Sequence, residues 1–244
     1  MKTYKADDSV GQLKLSIALH LIPNLPPIPH NEYRLIVADP PWQFTLRETD
    51  KTHRGRCSYP SMTEQEIMKM PISAIASDDS YLLLWVTNNH QALGFRCLEH
   101  WGFTHHSTFT WEKITKAGKP HAGIGHYGRS CTEHFLVATK GNPGSFTHHG
   151  LTNIINIIRA PRTKHSQKPE QFWDIADRLA HKLENCEKLG KLSHPSTIEL
   201  FARQQRANWD SWGAEVSQIT CGRAKFLPLV LRCKVLIFSR IYPS

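Results

Sequence analysis

Short apolar runs alternate with longer amphipathic stretches along most of this chain. Arg34-Leu-Ile-Val-Ala38 is brief, β-branched and unbroken, which predicts a buried strand. Tyr81–Thr87, Ser107–Trp111, Glu133–Thr139, Asn153–Ile158, Thr197–Ala202 and Trp209–Val216 read the same way, as strands two to seven. Thr63-Glu-Gln-Glu66 has the pattern of a capping box and opens a short helix through Met70. Residues Gln91 to Trp101 place Leu93, Cys97, Leu98 and Trp101 on one helical face. Ser166-Gln-Lys-Pro169 begins a helix running to about Leu183, with Pro169 suited to its first turn and Glu170 to its positive end. A glycine-rich loop separates the third and fourth strands. Unbroken apolar strands interleaved with helices predict an α/β fold, a doubly wound and mostly parallel sheet with helices on both faces.

The pattern divides the chain into three parts. Residues 1–32 form a lead-in that ends on the proline-rich Ile22–Pro29, extended because proline lacks the N–H that helices and central strands need. Residues 33–216 form the folded domain. Residues 217–244 form a basic and apolar tail, in which Val230–Phe238 reads as an extra edge strand or an unpacked segment.

Composition changes this picture little. The 244 residues are 40% hydrophobic and 21% charged, the make-up of a globular protein with a core. A net charge of +9 points toward a polyanionic partner. Part of it is local, since the tail holds Arg223, Lys225, Arg232, Lys234 and Arg240 and no acid. Six scattered cysteines with no C-x-x-C pair argue against a disulfide framework or a zinc ribbon and for a reducing compartment. The adjacent pairs His105-His106 and His148-His149 point to opposite faces if extended, so no metal is expected. Lys2, Lys5, Asp7 and Asp8 leave no apolar signal segment. The longest apolar run, Phe226–Phe238, is short and carries Arg232 and Lys234, too charged to span a bilayer. A soluble, cytoplasmic protein is expected.

In doubly wound sheets, ligands sit at the carboxyl ends of the strands. After the first strand stands Asp39-Pro40-Pro41-Trp42. Its prolines stiffen the turn and remove two donors, leaving an acid and an aromatic at a strand tip. This suits an exocyclic aromatic amine, whose two hydrogens a carboxylate and a backbone carbonyl can accept. Accepting them localises the nitrogen lone pair and takes up the proton shed on alkylation. Trp42 offers a face for packing a base.

Asp39-Pro-Pro-Trp42 resembles the DPPW motif of the adenine-N6 methyltransferases related to the catalytic subunit of the mRNA adenosine methyltransferase. The resemblance continues in order through Tyr59-Pro-Ser-Met62, Leu84-Trp-Val-Thr87, Trp111-Glu-Lys113, Glu133–Pro143, Ser166-Gln-Lys-Pro-Glu170, Glu199-Leu-Phe-Ala-Arg203 and Asn208-Trp-Asp-Ser-Trp-Gly213. It implies a class I Rossmann-like, S-adenosylmethionine-dependent fold with permuted motif order, and methyl transfer to adenine N6. Asp39 then accepts from N6, Pro40 supplies the carbonyl, and Pro41, Trp42 and Tyr59 shape the base pocket. Asp39, Ser166, Lys168, Glu199, Arg203 and Glu215 are the implied cofactor residues. Where the family carries Gly-Asn-Glu or Gly-Asn-Gln, this chain has Gly213-Ala214-Glu215, and Ala214 cannot bond a ribose hydroxyl.

Three basic segments fall beside that end of the sheet. They hold Arg47, Lys51, Arg54 and Arg56; Lys113, Lys116, Lys119 and Arg129; and Arg162 and Lys164. Basic loops with interleaved aromatic or imidazole groups suit a phosphate backbone and a splayed base. The substrate is read as nucleic acid, DNA rather than RNA because the chain resembles compact bacterial and phage members. A base inside a duplex must be flipped out, or the target must be single-stranded. The alternatives are an RNA adenosine methyltransferase and a non-catalytic nucleic-acid-binding subunit on the same fold, against which the intact motif weighs. A homodimer or a partner subunit stays open. An oxidoreductase is disfavoured, because the G-x-G-x-x-G spacing at Gly123–Gly128 lies in the loop between the third and fourth strands and opens no helix, as a dinucleotide-binding turn must.

Overall fold

The computed structural model describes residue 28 and residues 32–43, 61–123, 127–162, 167–186, 195–214 and 216. Its strands are β1 (Tyr33–Ala38), β2 (Ala76–Val86), β3 (Thr104–Ile114), β4 (Thr132–Lys140), β5 (Ile157–Pro161), β6 (Thr197–Leu200) and β7 (Asp210–Trp212). Its α-helices are α1 (Glu64–Met68), α2 (Ile72–Ile75), α3 (Gln91–His100) and α4 (Glu170–Glu184), with a 3-10 turn at Asn88–His90. All seven strands join one sheet in the order β5-β3-β4-β2-β1-β6-β7. Only β4 runs against the others, pairing antiparallel with both β2 and β3.

Two hydrophobic cores explain why the strands read as continuous apolar runs. Ile36, Ala38, Leu82, Leu84, Val86, Leu136 and Ala138 point to one face, under α1, α2 and α3. Leu35, Val37, Tyr81, Leu83, Trp85, Phe135 and Val137 point to the other, under α4. With both faces covered, no strand position in the middle of the sheet gains from being polar. Helix α4 buries Phe172, Trp173, Ile175, Ala176, Leu179, Ala180 and Leu183, a helical stripe that fixes its rotation. Pro169 is its N-cap. At α1 the capping box is complete: Glu66 donates its backbone N–H to the Thr63 hydroxyl, and Thr63 N–H donates to the Glu66 carboxylate.

The doubly wound, mostly parallel α/β sheet expected from the sequence is the one observed. Element boundaries differ in places. The fifth strand begins at Ile157 rather than Asn153, because Asn153 sits in the left-handed region with φ 61° and pairing to β3 starts at Thr110–Ile157. Pro161 is tolerated there because β5 is an edge strand. Strand β6 stops at Leu200, since Phe201 also turns left-handed at φ 62°. Helix α2 and the 3-10 turn were not expected. Ile28 packs into the core. The rest of the lead-in up to residue 31 and the tail at 217–244 lie outside the described residues.

Strand β1 lies between β2 and β6. The chain leaves β1 for β2 across one face of the sheet and enters β6 from α4 on the other. The sheet order therefore reverses between β1 and β6, which makes the carboxyl end of β1 a topological switch point, the place where such sheets hold ligands.

Candidate active site

Asp39-Pro40-Pro41-Trp42 follows directly on β1 at that switch point. Trp42 N–H donates to the Pro40 carbonyl at 2.8 Å, closing a tight turn. Met62 N–H donates to the Pro41 carbonyl at 2.9 Å, and Trp42 forms an isolated parallel bridge to Met62. The Trp42 indole N–H donates to the Trp85 carbonyl at 3.0 Å. Trp42 is only 4% exposed, its ring packed into the core and not the open face anticipated for base packing. Pro40 keeps one carbonyl lone pair after serving Trp42, which is what an amine hydrogen requires.

The Asp39 carboxylate pairs with Lys168 Nζ at 2.9 Å. Lys168 Nζ also pairs with Glu133 at 2.5 Å, and Glu133 pairs with Lys113 at 2.8 Å. Four groups of alternating sign thus run Asp39–Lys168–Glu133–Lys113. The Lys168 ammonium lies over the Trp85 ring, 4.5 Å from its centroid, and Lys113 lies over Trp111 at 4.9 Å. The Lys168 side chain is only 7% exposed. Burial alone lowers its pKa; the two facing carboxylates more than offset this and keep it charged. Burial also pushes the Asp39 carboxyl above its ordinary range, opposed by Lys168 and reinforced by Glu133. Glu133 is pushed up by burial too, but Lys168 and Lys113 together bring it well below its ordinary range. Asp39 is therefore the more basic carboxylate and the one better fitted to take a proton.

Glu199 lies in β6, beside β1, in register with Val37. Its pKa is pushed up to about 7 by burial, against the lowering effect of Arg206 and with a raising effect from Asp39. Glu199 Oε2 is buried without a hydrogen-bond partner among the described residues. A buried carboxylate oxygen with nothing to bond fits a ligand hydroxyl that arrives from outside. Beyond it, Gly213 approaches so closely that an added Cβ would lie 2.2 Å from the Ala202 carbonyl oxygen, keeping the ends of β6 and β7 together. Arg203 is close enough to Asp39 to lower its pKa. Arg206 stacks over Trp173 at 3.7 Å from the ring centroid.

The raised pKa of Glu199 has a consequence for stability. Between the ordinary carboxylate pKa and about 7, the folded chain binds this proton more tightly than the unfolded one, so stability falls as pH rises through that window. Glu199→Gln is expected to stabilise the cofactor-free protein by about 1–3 kcal/mol near pH 8. The gain should vanish below about pH 4, as the unfolded chain takes up the proton that the folded one already holds. Thermal unfolding at the two pH values checks this, and equal gains at both would contradict it.

Among the anticipated nucleic-acid contacts, Lys116 and Lys119 are exposed on a turn between β3 and β4. Thr115 and His121 N–H groups donate to the Lys119 and Lys113 carbonyls, and Gly123 N–H donates to Ser130, so this connection is a built finger. Arg129 donates to the Ala122 and Gly123 carbonyls at 3.1 and 3.0 Å, fastening the finger with its guanidinium. Lys113 is turned inward on Glu133. Arg162 is exposed at the end of β5. Arg47, Lys51, Arg54, Arg56, Tyr59, Lys164, Ser166 and Glu215 lie outside the described residues.

Glu133 was not anticipated as a site residue, although a signal was present. A carboxylate opening an apolar strand needs a partner, and Glu133 stands at the start of one. Among the described residues no cluster of His, Cys, Asp and Glu could hold a metal, and no helix is long and apolar enough to cross a membrane.

The chain is 27% identical over 208 residues to the type II methyltransferase M.MunI of a Mycoplasma species, covering 78% of this chain and 81% of that protein. It is 28% identical over 198 residues to the human N(6)-adenosine-methyltransferase catalytic subunit METTL3, and 27% identical over the same length to the Drosophila melanogaster MT-A70-like N(6)-adenosine-methyltransferase. Those matches cover 77% of this chain but only 29% and 28% of the two longer proteins. The MT-A70 family pattern matches residues 33–215, from the start of β1 past β7. With the Asp39–Trp42 turn at the switch point of its sheet, this chain belongs to the MT-A70 family of adenine-N6 methyltransferases.

Proposed function

We propose that this chain transfers a methyl group from S-adenosylmethionine to adenine N6 in DNA, with Asp39, Pro40 and Trp42 at the reacting centre. The observation that carries the reading is the Asp39 carboxylate, held on a donor-poor turn by a buried lysine at the switch point of the sheet. Asp39 and the free lone pair of the Pro40 carbonyl accept the two N6 hydrogens. Asp39 then takes the proton that N6 sheds. When bound, S-adenosylmethionine supplies the electrophilic methyl. The residues present fit that cofactor: Glu199 offers its unpartnered oxygen to a ribose hydroxyl, and Lys168 and Arg203 offer positive charge to a carboxylate. Ser166 and Glu215 complete this set on the family resemblance, as Tyr59 completes the base pocket with Pro41 and Trp42.

DNA is favoured because the match spans most of the type II methyltransferase and less than a third of the adenosine methyltransferases. Nucleic acid is held by the finger between β3 and β4, through Lys116 and Lys119, with Arg162 beside it. Arg47, Lys51, Arg54, Arg56 and Lys164 extend this surface, while Lys113 and Arg129 support it from within. Incubation with methyl-labelled cofactor and single-stranded DNA, duplex DNA or RNA, followed by nucleoside analysis, tests the reading. Label in N6-methyladenine from DNA is expected. Label from RNA alone would replace the substrate, and no label from any, with cofactor bound, would leave a non-catalytic subunit.

The finger makes its own prediction. Lys116→Ala with Lys119→Ala should raise KM for an oligonucleotide while leaving kcat and cofactor affinity unchanged. The slope of log affinity against log salt should flatten by about one to two, as expected for two lost phosphate contacts. An unchanged slope would remove these lysines from the interface.

A further inference from the structure

The 3-10 turn Asn88–His90 follows β2, and nothing in the motif set or in the chemistry above uses it. Its two ends reach different parts of the site. His90 stacks on Trp42, with ring centroids 5.5 Å apart and planes 16° from parallel. His90 Nε2 lies 3.0 Å from the Gln43 carbonyl oxygen, and His90 Nδ1 lies 2.7 Å from Thr87 Oγ1. A carbonyl only accepts, so Nε2 carries a proton, while Nδ1 shares a hydrogen bond with the Thr87 hydroxyl. The imidazole is thereby held at both ring nitrogens, in one orientation against the last residues of the Asp39–Trp42 turn.

Asn88 makes the opposite connection. Its Nδ2 donates to Ser130 Oγ at 2.6 Å and to the Thr132 carbonyl and hydroxyl, each at 3.1 Å. Its Oδ1 accepts from Thr132 Oγ1 at 3.3 Å and from His134 Nε2 at 2.8 Å. His134 Nδ1 in turn meets Thr110 Oγ1 at 3.0 Å on β3. Ser130 and Thr132 are the root of the finger between β3 and β4, where Gly123 N–H donates to the Ser130 carbonyl.

From this juxtaposition we infer that His90 is a positioning residue for the reaction, holding Trp42 and the Asp39–Trp42 turn in place, and that Asn88 ties that support to the root of the finger. One short turn then sets the spacing between the pocket wall and the surface that carries the strand. The inference rests on the proposed reading of Trp42 as part of the base pocket. The stack and the two hydrogen bonds of His90 add to the holds Trp42 already has in its bonds to the Pro40 and Trp85 carbonyls, its bridge to Met62 and its packing in the core.

Two measurements test it on the whole chain. The first is amide hydrogen exchange of the free protein, read at Trp42 and Met62, whose N–H groups close the turn on the Pro40 and Pro41 carbonyls. His90→Ala should speed both by about tenfold or more, with protection in β1 and β6 unchanged. The second is methyl transfer to an adenine-containing single-stranded oligonucleotide. His90→Ala should lower kcat/KM about tenfold with the cofactor Kd within about twofold of wild type, and His90→Phe, which keeps a stacking ring, should recover most of the loss. Unchanged exchange at both amides overturns the inference. So does loss of protection throughout β1 and β6 with a matching loss of cofactor affinity, which would make His90 a general stabiliser. If the wild-type chain methylates no adenine, the functional reading fails, and the exchange comparison still decides whether His90 holds the turn.

Discussion

Asp39→Ala is expected to reduce methyl transfer by about 10³-fold or more while the protein stays folded and still binds the cofactor. Adenine N6 is a weak nucleophile, because its lone pair is delocalised into the ring. Localising that pair needs acceptors for both amine hydrogens, and Asp39 is the only one of the two carrying a full charge. The Pro40 carbonyl already accepts from Trp42 at 2.8 Å and cannot replace it. The fold should survive because Lys168 keeps Glu133 as a counter-ion at 2.5 Å. Asp39→Asn should lose nearly as much, since an amide retains one acceptor but cannot take a proton at neutral pH. A cofactor Kd raised by no more than about tenfold, beside the far larger loss in kcat, separates chemistry from binding. Transfer by Asp39→Ala at the wild-type rate would remove Asp39 from the reacting centre.

The pH dependence follows from the same environment. Burial raises the Asp39 pKa, so its acceptor form is lost on acidification at a higher pH than an exposed aspartate would lose it. Activity should fall on the acid side for this reason, and Asp39→Asn should flatten that limb. Glu133, held low by two lysines, stays ionised through the same range and keeps Lys168 in place.

The sheet was legible because its strands are buried on both faces, so length and β-branching marked them without any need for alternation. Strand direction was not. The reversal of β4 arises because β3 and β4 are joined by a finger and not by a crossover helix, and no residue of Thr132–Lys140 carries that information. Ile154 and Ile155 misled the fifth strand, because an apolar pair resembles a strand start; Ile155 is exposed, and Asn153 breaks the backbone. At the site, Asp39–Trp42 was readable because four adjacent residues hold a chemistry between them. The Lys113–Glu133–Lys168 chain was not, since its members meet only when β3, β4 and the start of α4 converge. His90 gave no signal at all, being one of 15 histidines in a polar turn.

Lys168→Met should be the most damaging single change to the fold at this site. Removing Asp39 leaves a cation facing one carboxylate, but removing Lys168 leaves two carboxylates facing each other, with Lys113 still on Glu133 and Arg203 acting on Asp39 from farther off. Breaking a buried ion pair from one side costs about 3–5 kcal/mol, because the remaining charge keeps its desolvation penalty and loses its partner. Methionine fills the space over the Trp85 ring without restoring the charge. The loss should be greatest near about pH 8 and shrink on acidification, when Asp39 takes up a proton and the repulsion disappears. In the wild type the Glu133 contribution runs the other way, at lower pH. Glu133 is held below the ordinary range, so the stability it contributes is present above the unfolded pKa and lost as pH falls toward the folded one. The two unfolding curves should therefore converge at low pH. Lys168→Arg, which keeps the charge but not the single-atom reach to both acids, should regain much of the stability and little of the activity. A Lys168→Met protein as stable as wild type at pH about 8 would show that the ammonium does not hold Asp39 and Glu133 together, and Asp39 would need another source for its orientation.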